Sequence, residues 1–237
     1  MLSETENQVR ELIESKLTGT SKEEALLYHY SVERKLRAVE LFFMNVKTAT
    51  PVIFRSATST SSEVQPDPVY YEQTINNISA NIDAFFMSSK STLDTFAHEL
   101  RNLYGFSGHS GDLYFENALD LLQRHNSNSE LNSYLSSYNV RNQSWYQDLN
   151  SYRKASAHES IIPIRPSIDV DILAGELRCK APILKLPLDP AQKPPRFNGK
   201  DFETTGNLIK ESLQHLITGS YDKIILDINL NKTTILP

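Results

Sequence analysis

The chain has 237 residues, with 24 Lys and Arg against 29 Asp and Glu and a formal net charge of −5. One cysteine, Cys179, excludes an internal disulfide framework, and the lack of any run of 18 apolar residues excludes a spanning helix. With 11 tyrosines and 10 phenylalanines the composition argues against disorder, and the polar N-terminus without a secretory signal predicts a cytoplasmic protein.

Three helices are predicted in the first part of the chain. The first is amphipathic and ends at Gly19. The second is bounded by Pro51 and has apolar residues spaced 4-3-4-3 along one face, namely Val32, Leu36, Val39, Phe43 and Val46. The third begins at Asp67-Pro68, where Asp can cap the helix and Pro fits its first turn, and continues without Pro or Gly to Gly105. The polar stretch between the second and third helices is long for a loop and predicts a mobile segment or lid.

Shorter helices are predicted next. The glycine-rich segment 105–111 lacks the Lys-Ser/Thr ending of a phosphate-binding loop and is interpreted as a connector. Residues 119–138 predict one or two short helices. A further helix, which Pro163 stops, carries a 4-3-4 stripe of Trp145, Leu149, Tyr152 and Ser156.

The pattern changes after this helix. Alternation of apolar and polar residues begins at Ile168 and indicates a strand that pairs with residues 177–186 as a hairpin. A proline-rich connector leads to a helix that starts near Phe202 and ends before Gly219. The last alternation, Ile224, Leu226, Ile228 and Leu230, predicts a C-terminal strand.

These elements predict a mainly α fold, an antiparallel helical bundle with a small β-hairpin appendage toward the C-terminus. Residues 1–160 form the predicted helical core. Residues 161–237 contain the β-rich hairpin, the proline-rich connector, one further helix and the C-terminal strand, and we expect them to pack on the same domain.

Charge is uneven along the chain. Residues 141–200 carry 10 Lys and Arg against 6 Asp and Glu, whereas residues 1–140 carry 11 against 18. A polyanionic partner would therefore meet the 141–200 segment, and the alternative is an uneven solvated surface. An RNA-cleaving cleft needs clustered cations, which predicts that Arg141 and Lys154 bind substrate together with Arg178 and Lys180.

Arg153 and His158 form the candidate catalytic pair. Cleavage of RNA without a metal needs deprotonation of a ribose 2′-hydroxyl and stabilisation of the charged phosphorane. A histidine can move the proton, and an arginine can hold the charged oxygens with fixed donors. At about 100° per residue, the two positions lie roughly 140° apart on a straight helix. They converge if the helix loosens near Ala157 or if a second subunit completes the site.

The long helix with Lys-Ser-Thr-Leu-Asp-Thr-Phe-Ala-His-Glu-Leu (90–100), followed by Arg-x4-His late in a later helix, resembles the HEPN superfamily of helical domains. The resemblance covers residues 22–160. It implies a homodimer and a metal-independent endoribonuclease, often paired with an antitoxin protein. It also implies that Arg153 and His158 are the active pair and that both protomers contribute to the site. No metal or other cofactor is expected.

Two alternatives to the ribonuclease remain open. Active members of the superfamily often have Asn, Asp or His directly after the arginine, whereas this chain has Lys154. One alternative is therefore a catalytically inactive dimer that binds a protein partner or a nucleotide, with Arg153 in a structural ion pair. The other is a scaffold whose 167–186 hairpin performs recognition through an exposed apolar patch.

Overall fold

The computed structural model describes residues 4–58, 68–106, 113–158, 161–167, 170–173, 176–179, 182–197 and 199–233. Seven α-helices lie within them: α1 Glu4–Lys16, α2 Gly19–Thr58, α3 Pro68–Tyr104, α4 Phe115–His125, α5 Glu130–Tyr138, α6 Ser144–His158 and α7 Phe202–Asn229. A short 3-10 helix, Val140–Asn142, precedes α6. The predicted mainly α fold is confirmed. Of the described helices, none combines the length and the apolar character needed to cross a membrane.

Four short strands form two antiparallel pairs. They are β1 Arg165–Ser167, β2 Val170–Leu173, β3 Glu176–Cys179 and β4 Ile183–Lys185. β2 pairs with β3, with Val170 opposite Cys179, and β1 pairs with β4, with Arg165 opposite Lys185. The predicted hairpin is confirmed by the β2–β3 pair, and β1, which precedes the predicted start at Ile168, pairs with β4. In the described residues, the only further β-bridge joins Lys185 to Asp201.

The chain divides into two compact units. The first comprises Met1–Arg37, Ser88–Gln147 and Glu211–Pro237, and the second comprises Ala38–Met87 and Asp148–Lys210. Each unit is therefore assembled from segments that lie far apart in the sequence. The division of the chain at residue 160 remains a prediction.

An aromatic cluster forms the core of the second unit. Phe85 lies 6.1 Å from Phe43 and 5.5 Å from Phe202, measured between ring centroids, and Phe86 stacks on Tyr152 at 4.7 Å. All five rings are at most 2% exposed. Because α2, α3, α6 and α7 each supply at least one ring, this cluster fixes the rotation of these helix segments about their axes.

The long third helix is confirmed, and the predicted end of the second is wrong. α3 begins at Pro68 as predicted and ends before Gly105, whose φ is 64°. α2 continues through Pro51 to Thr58, so this proline lies inside the helix. Proline removes one main-chain N–H, which either ends or kinks a helix, and sequence does not distinguish these outcomes. The predicted lid falls largely on residues 59–67, and most of the glycine-rich connector on residues 107–112, both outside the described residues.

The predicted C-terminal strand is wrong, because its residues belong to α7. The prediction that this helix stops before Gly219 is wrong as well. Ile224 and Ile228 are buried, whereas Leu226 is 43% exposed. In an alternating run, residues four positions apart are also both apolar, and such residues lie on one face of a helix. Gly219 lies where a Cβ would overlap the hydroxyl of Tyr134 in α5, so this glycine permits close packing of α5 against α7.

Candidate functional site

Helix α6 carries the candidate catalytic pair. Trp145, Leu149 and Tyr152 are each at most 2% exposed, so the predicted apolar stripe is confirmed and faces the protein interior. The hydroxyl of Tyr152 donates to the main-chain oxygen of Pro187 at 2.6 Å, which ties the helix to the chain beyond the hairpin. With this face buried, Arg153 lies on the flank of the helix, partly exposed, and Lys154 is exposed.

Asp83 of α3 holds the chain on both sides of His158. Its carboxylate accepts from the main-chain N–H of Ile162 at 3.1 Å and interacts with the side chain of Ser156. Burial raises the pKa of Asp83 above its ordinary value, although both of these hydrogen bonds oppose the shift. Ile162 itself is fully buried. These contacts position the main chain around residue 158, and sequence reasoning did not identify Asp83 because it lies 79 residues from Ile162.

Helical geometry continues to the candidate histidine. α6 includes every residue from Ser144 to His158, so the helix does not loosen near Ala157. Positions 153 and 158 therefore lie about 140° apart around one helix axis. The side chain of His158 is outside the described part of the structure. Convergence of the pair through a second copy of the chain stays a prediction.

Arg153 differs from Arg141 in its partners. In the described part of the chain, Arg153 forms no hydrogen bond or ion pair. Arg141 donates through one terminal nitrogen to the main-chain oxygen of Glu116 at 2.8 Å and to Asp120 Oδ1 at 2.6 Å. The guanidinium of Arg141 thus attaches the 3-10 helix to α4, and its role in substrate binding remains a prediction. The two arginines belong to different compact units.

The other two predicted substrate-binding residues are in or beside the hairpin. The backbone of Arg178 lies in β3, opposite Asp171 of β2, and its side chain is outside the described residues. Lys180 is also outside them. Whether these cations join Lys154 in one basic cleft therefore stays a prediction.

A buried ionisable cluster lies in the first unit. His29 Nδ1 and Glu99 Oε1 are 2.8 Å apart, and Tyr221 donates its hydroxyl to Glu99 Oε2 at 2.8 Å. Burial lowers the pKa of His29, but the hydrogen bond and charge of Glu99, together with Glu6, outweigh burial and raise it above its ordinary value. The sequence offered no partner for His29, since Glu99 is 70 residues away. The cluster contains a proton-binding group, but its side chains are almost wholly enclosed.

A second polar cluster surrounds Lys90, which is 6% exposed. Its ammonium group lies 2.9 Å from both carboxylate oxygens of Glu116 and 3.4 Å from Asp94. The hydroxyl of Tyr146 donates to Glu116 as well. Burial raises the pKa of Glu116, but hydrogen bonds from Tyr146 and Lys90 outweigh it and lower the pKa below its ordinary value. Because each charged group has a partner, this cluster connects α3, α4 and α6 rather than presenting a free catalytic group.

In the described segments, no group of three or more His, Cys, Asp or Glu side chains is placed to bind a metal ion. His98, adjacent to Glu99 in the sequence, stacks on Tyr28 with ring centroids 5.1 Å apart. In comparisons with known proteins, the chain matches no family model, and no curated protein or solved structure is significantly similar to it.

Proposed function

We propose that the protein is a homodimeric, metal-independent endoribonuclease of HEPN type whose site is composite. In this proposal, Arg153 of one protomer and His158 of the other act on the same phosphodiester. The observation that carries the proposal is the unbroken course of α6 through His158, which separates the two positions around the helix. In a two-fold interface, a residue of one protomer contacts a second position on its partner, and the reverse contact also forms, so one dimer can contain two Arg153–His158 pairs that each span both chains.

The environment of Arg153 supports an active rather than a structural role. An inactive dimer predicts this arginine in a structural ion pair, yet in the described part of the chain it forms none. Lys154 is exposed beside it. A partly exposed guanidinium without an internal acceptor keeps its fixed donors for the oxygens of a phosphate.

The reaction follows from the chemistry of the two side chains. His158 accepts the proton of a ribose 2′-hydroxyl, and the 2′ oxygen forms a bond to the neighbouring phosphorus. The bond between phosphorus and the 5′ oxygen breaks, and the proton returns from His158 to that oxygen. The products are a 2′,3′-cyclic phosphate and a 5′-hydroxyl. Arg153 stabilises the negative charge that develops on the phosphorane oxygens.

We place this activity in the cytoplasm, where RNA is available and the single cysteine stays reduced. A cognate antitoxin protein would then restrain the nuclease by covering the composite site. Purification of the chain with and without a protein encoded beside it, followed by RNA cleavage assays, tests this part of the proposal. Equal cleavage by both preparations would remove the antitoxin.

Mixed dimers test the composite site directly. Arg153→Ala and His158→Ala variants are purified separately, mixed, unfolded and refolded together, and assayed on single-stranded RNA with EDTA present. Each variant alone is expected to be inactive. Random reassociation makes half of the dimers mixed, and each mixed dimer has one intact site of two, so activity returns to about a quarter of wild type.

Two other results would each have a definite meaning. Activity that stays absent after mixing, while wild type survives the same refolding, would place both side chains within one protomer and refute the composite site. If wild-type protein and the His158→Ala variant cleave equally, or neither cleaves, the ribonuclease is refuted and the inactive binding dimer is left. Both the nuclease and the inactive binding protein are dimers, so light scattering at micromolar concentration must show a dimer for either one.

A further inference from the structure

A small pocket lies beside the end of α6. It has a volume of about 150 Å³ and belongs entirely to the second compact unit. Its walls are apolar and are formed by Ala155, Ile161, Ile162, Pro163, Pro190 and Pro195. Gln192 and Lys193, both exposed, also line the pocket, and among the lining residues that the structure describes none is acidic. The pocket thus combines an apolar interior with one cation at its rim.

The volume and the walls suit one flat ring. A protein cavity of about 150 Å³ with apolar walls accommodates a benzene molecule. Three of the wall residues are prolines, whose rigid rings present C–H groups that pack against the negative face of an aromatic ring. A six-membered aromatic ring fills such a pocket, whereas a fused two-ring system extends beyond it.

The pocket lies on the side of α6 that carries position 158. Residues 155 and 158 are separated by about 60° around the helix axis, whereas residues 153 and 155 are separated by about 160°. Ala155 precedes His158 by three residues, and Ile161 follows it by three, so wall residues flank the histidine on both sides. A nucleotide whose base occupied the pocket would therefore have its ribose near position 158.

We propose that this pocket binds the pyrimidine base of the nucleotide whose 2′-hydroxyl attacks. The inference rests on the proposed ribonuclease and specifies its substrate. The rim ammonium group of Lys193 then meets a phosphate of the same strand, and it attracts that phosphate by its positive charge. The enzyme cleaves after pyrimidines in preference to purines.

Binding of mononucleotides tests the pocket without requiring catalysis. Uridine 3′-monophosphate and adenosine 3′-monophosphate are titrated into isotope-labelled protein, and the methyl resonances of Ile161 and Ile162 report occupancy. We expect the dissociation constant for the uridine nucleotide to be about tenfold lower, since the second ring of adenine overfills the site. Equal affinity, or shifts confined to other methyl groups, would refute the pocket as the base site.

Two alanines of α6 supply matched variants. Ala155→Leu fills the pocket and should abolish the preference for uridine, whereas Ala157→Leu makes the same change on an exposed part of the helix and should leave the preference intact. If Ala155→Leu does not fold, the Lys193→Gln variant tests the pocket instead. This exposed change should weaken binding of uridine 3′-monophosphate but not of uridine, and equal loss for both would count against the proposal.

The same experiments separate the two proposals. Uridine-selective binding that is lost in Ala155→Leu, in a protein that cleaves no RNA, keeps the pocket and refutes the nuclease. Cleavage of poly(U) and poly(A) at equal rates, with no selective binding, keeps the nuclease and refutes the pocket.

Discussion

The main-chain N–H of Ile162, four residues beyond the end of α6, donates to Oδ1 of Asp83 on α3 at 3.1 Å. Together with the interaction between Asp83 and Ser156, this contact fixes the chain before and after His158. A buried main-chain N–H needs an acceptor, and here a carboxylate from a distant segment supplies it. Asp83 is thus a positioning residue for the proposed histidine.

Removal of this acceptor should loosen the end of α6. We expect Asp83→Ala to lower the free energy of unfolding by about 1–3 kcal/mol, because the buried N–H of Ile162 loses its partner. Asp83→Asn keeps an acceptor oxygen and should lose less stability than Asp83→Ala. Urea denaturation measures the stability, and amide hydrogen exchange at Ile162 measures the local effect. Glu72→Ala, which changes an exposed carboxylate of the same helix, is the control. Unchanged exchange at Ile162 in Asp83→Ala would contradict this role.

The buried pair of His29 and Glu99 should make stability depend on pH. Burial lowers the pKa of His29, but Glu99 and Glu6 outweigh burial and raise it on folding, and the hydroxyl of Tyr221 also faces Glu99. A raised pKa stabilises the folded state fully below the unfolded value of about 6.5, and this contribution is lost as pH rises through the folded value.

Comparison with His29→Gln isolates this contribution. At pH 5.5 we expect the free energy of unfolding of the wild type to exceed that of the variant by about 3–5 kcal/mol, since breaking a buried pair leaves Glu99 without its charged partner. The difference should shrink as pH rises above 6.5. Urea denaturation of both proteins from pH 5.5 to 8.5 provides the measurement. A difference that stays constant across this range would show that His29 does not gain a proton on folding.

Gly219 should be intolerant of alanine although it lies within α7. Replacing a helical glycine by alanine ordinarily stabilises a protein by about 0.5–1 kcal/mol. Here the new Cβ overlaps the hydroxyl and the adjoining ring carbon of Tyr134, so we expect Gly219→Ala to destabilise by about 1–3 kcal/mol. Adding Tyr134→Leu removes the overlapping atoms and should recover stability relative to the single glycine variant. Thermal denaturation of the wild type, the two single variants and the double variant tests this. If the stability changes of the two single variants simply add in the double variant, the overlap is refuted.

Arg153 should not be replaceable by lysine. Both residues are cations, but lysine lacks the planar, paired donors that match the oxygens of a phosphorane. We expect Arg153→Lys to bind RNA nearly as well as wild type while kcat falls about 10²-fold. Arg124→Lys, the same change at an exposed arginine of α4, is the control and should change kcat little. Equal loss of RNA affinity and of kcat/KM in Arg153→Lys would instead assign this arginine to ground-state binding.

The sequence by itself determined the helical character of the chain and most of its elements. Apolar residues three and four apart indicated α3 and α6 correctly, and strict alternation indicated the hairpin, since these periodicities arise from local backbone geometry. The same local rule failed in α7, where Ile224 to Leu230 satisfy both periods. Tertiary packing decided in favour of a helix there.

Only the tertiary structure decided which distant residues meet. Asp227 of α7 accepts from the hydroxyl of Tyr104 at 2.7 Å and from the main-chain N–H groups of Glu130 and Leu131, at the start of α5. Nothing in the spacing of these residues indicates the contact, just as nothing linked Asp83 to the end of α6. Periodicity records which face of a helix is buried, whereas the partner of that face depends on how helices rotate and pack.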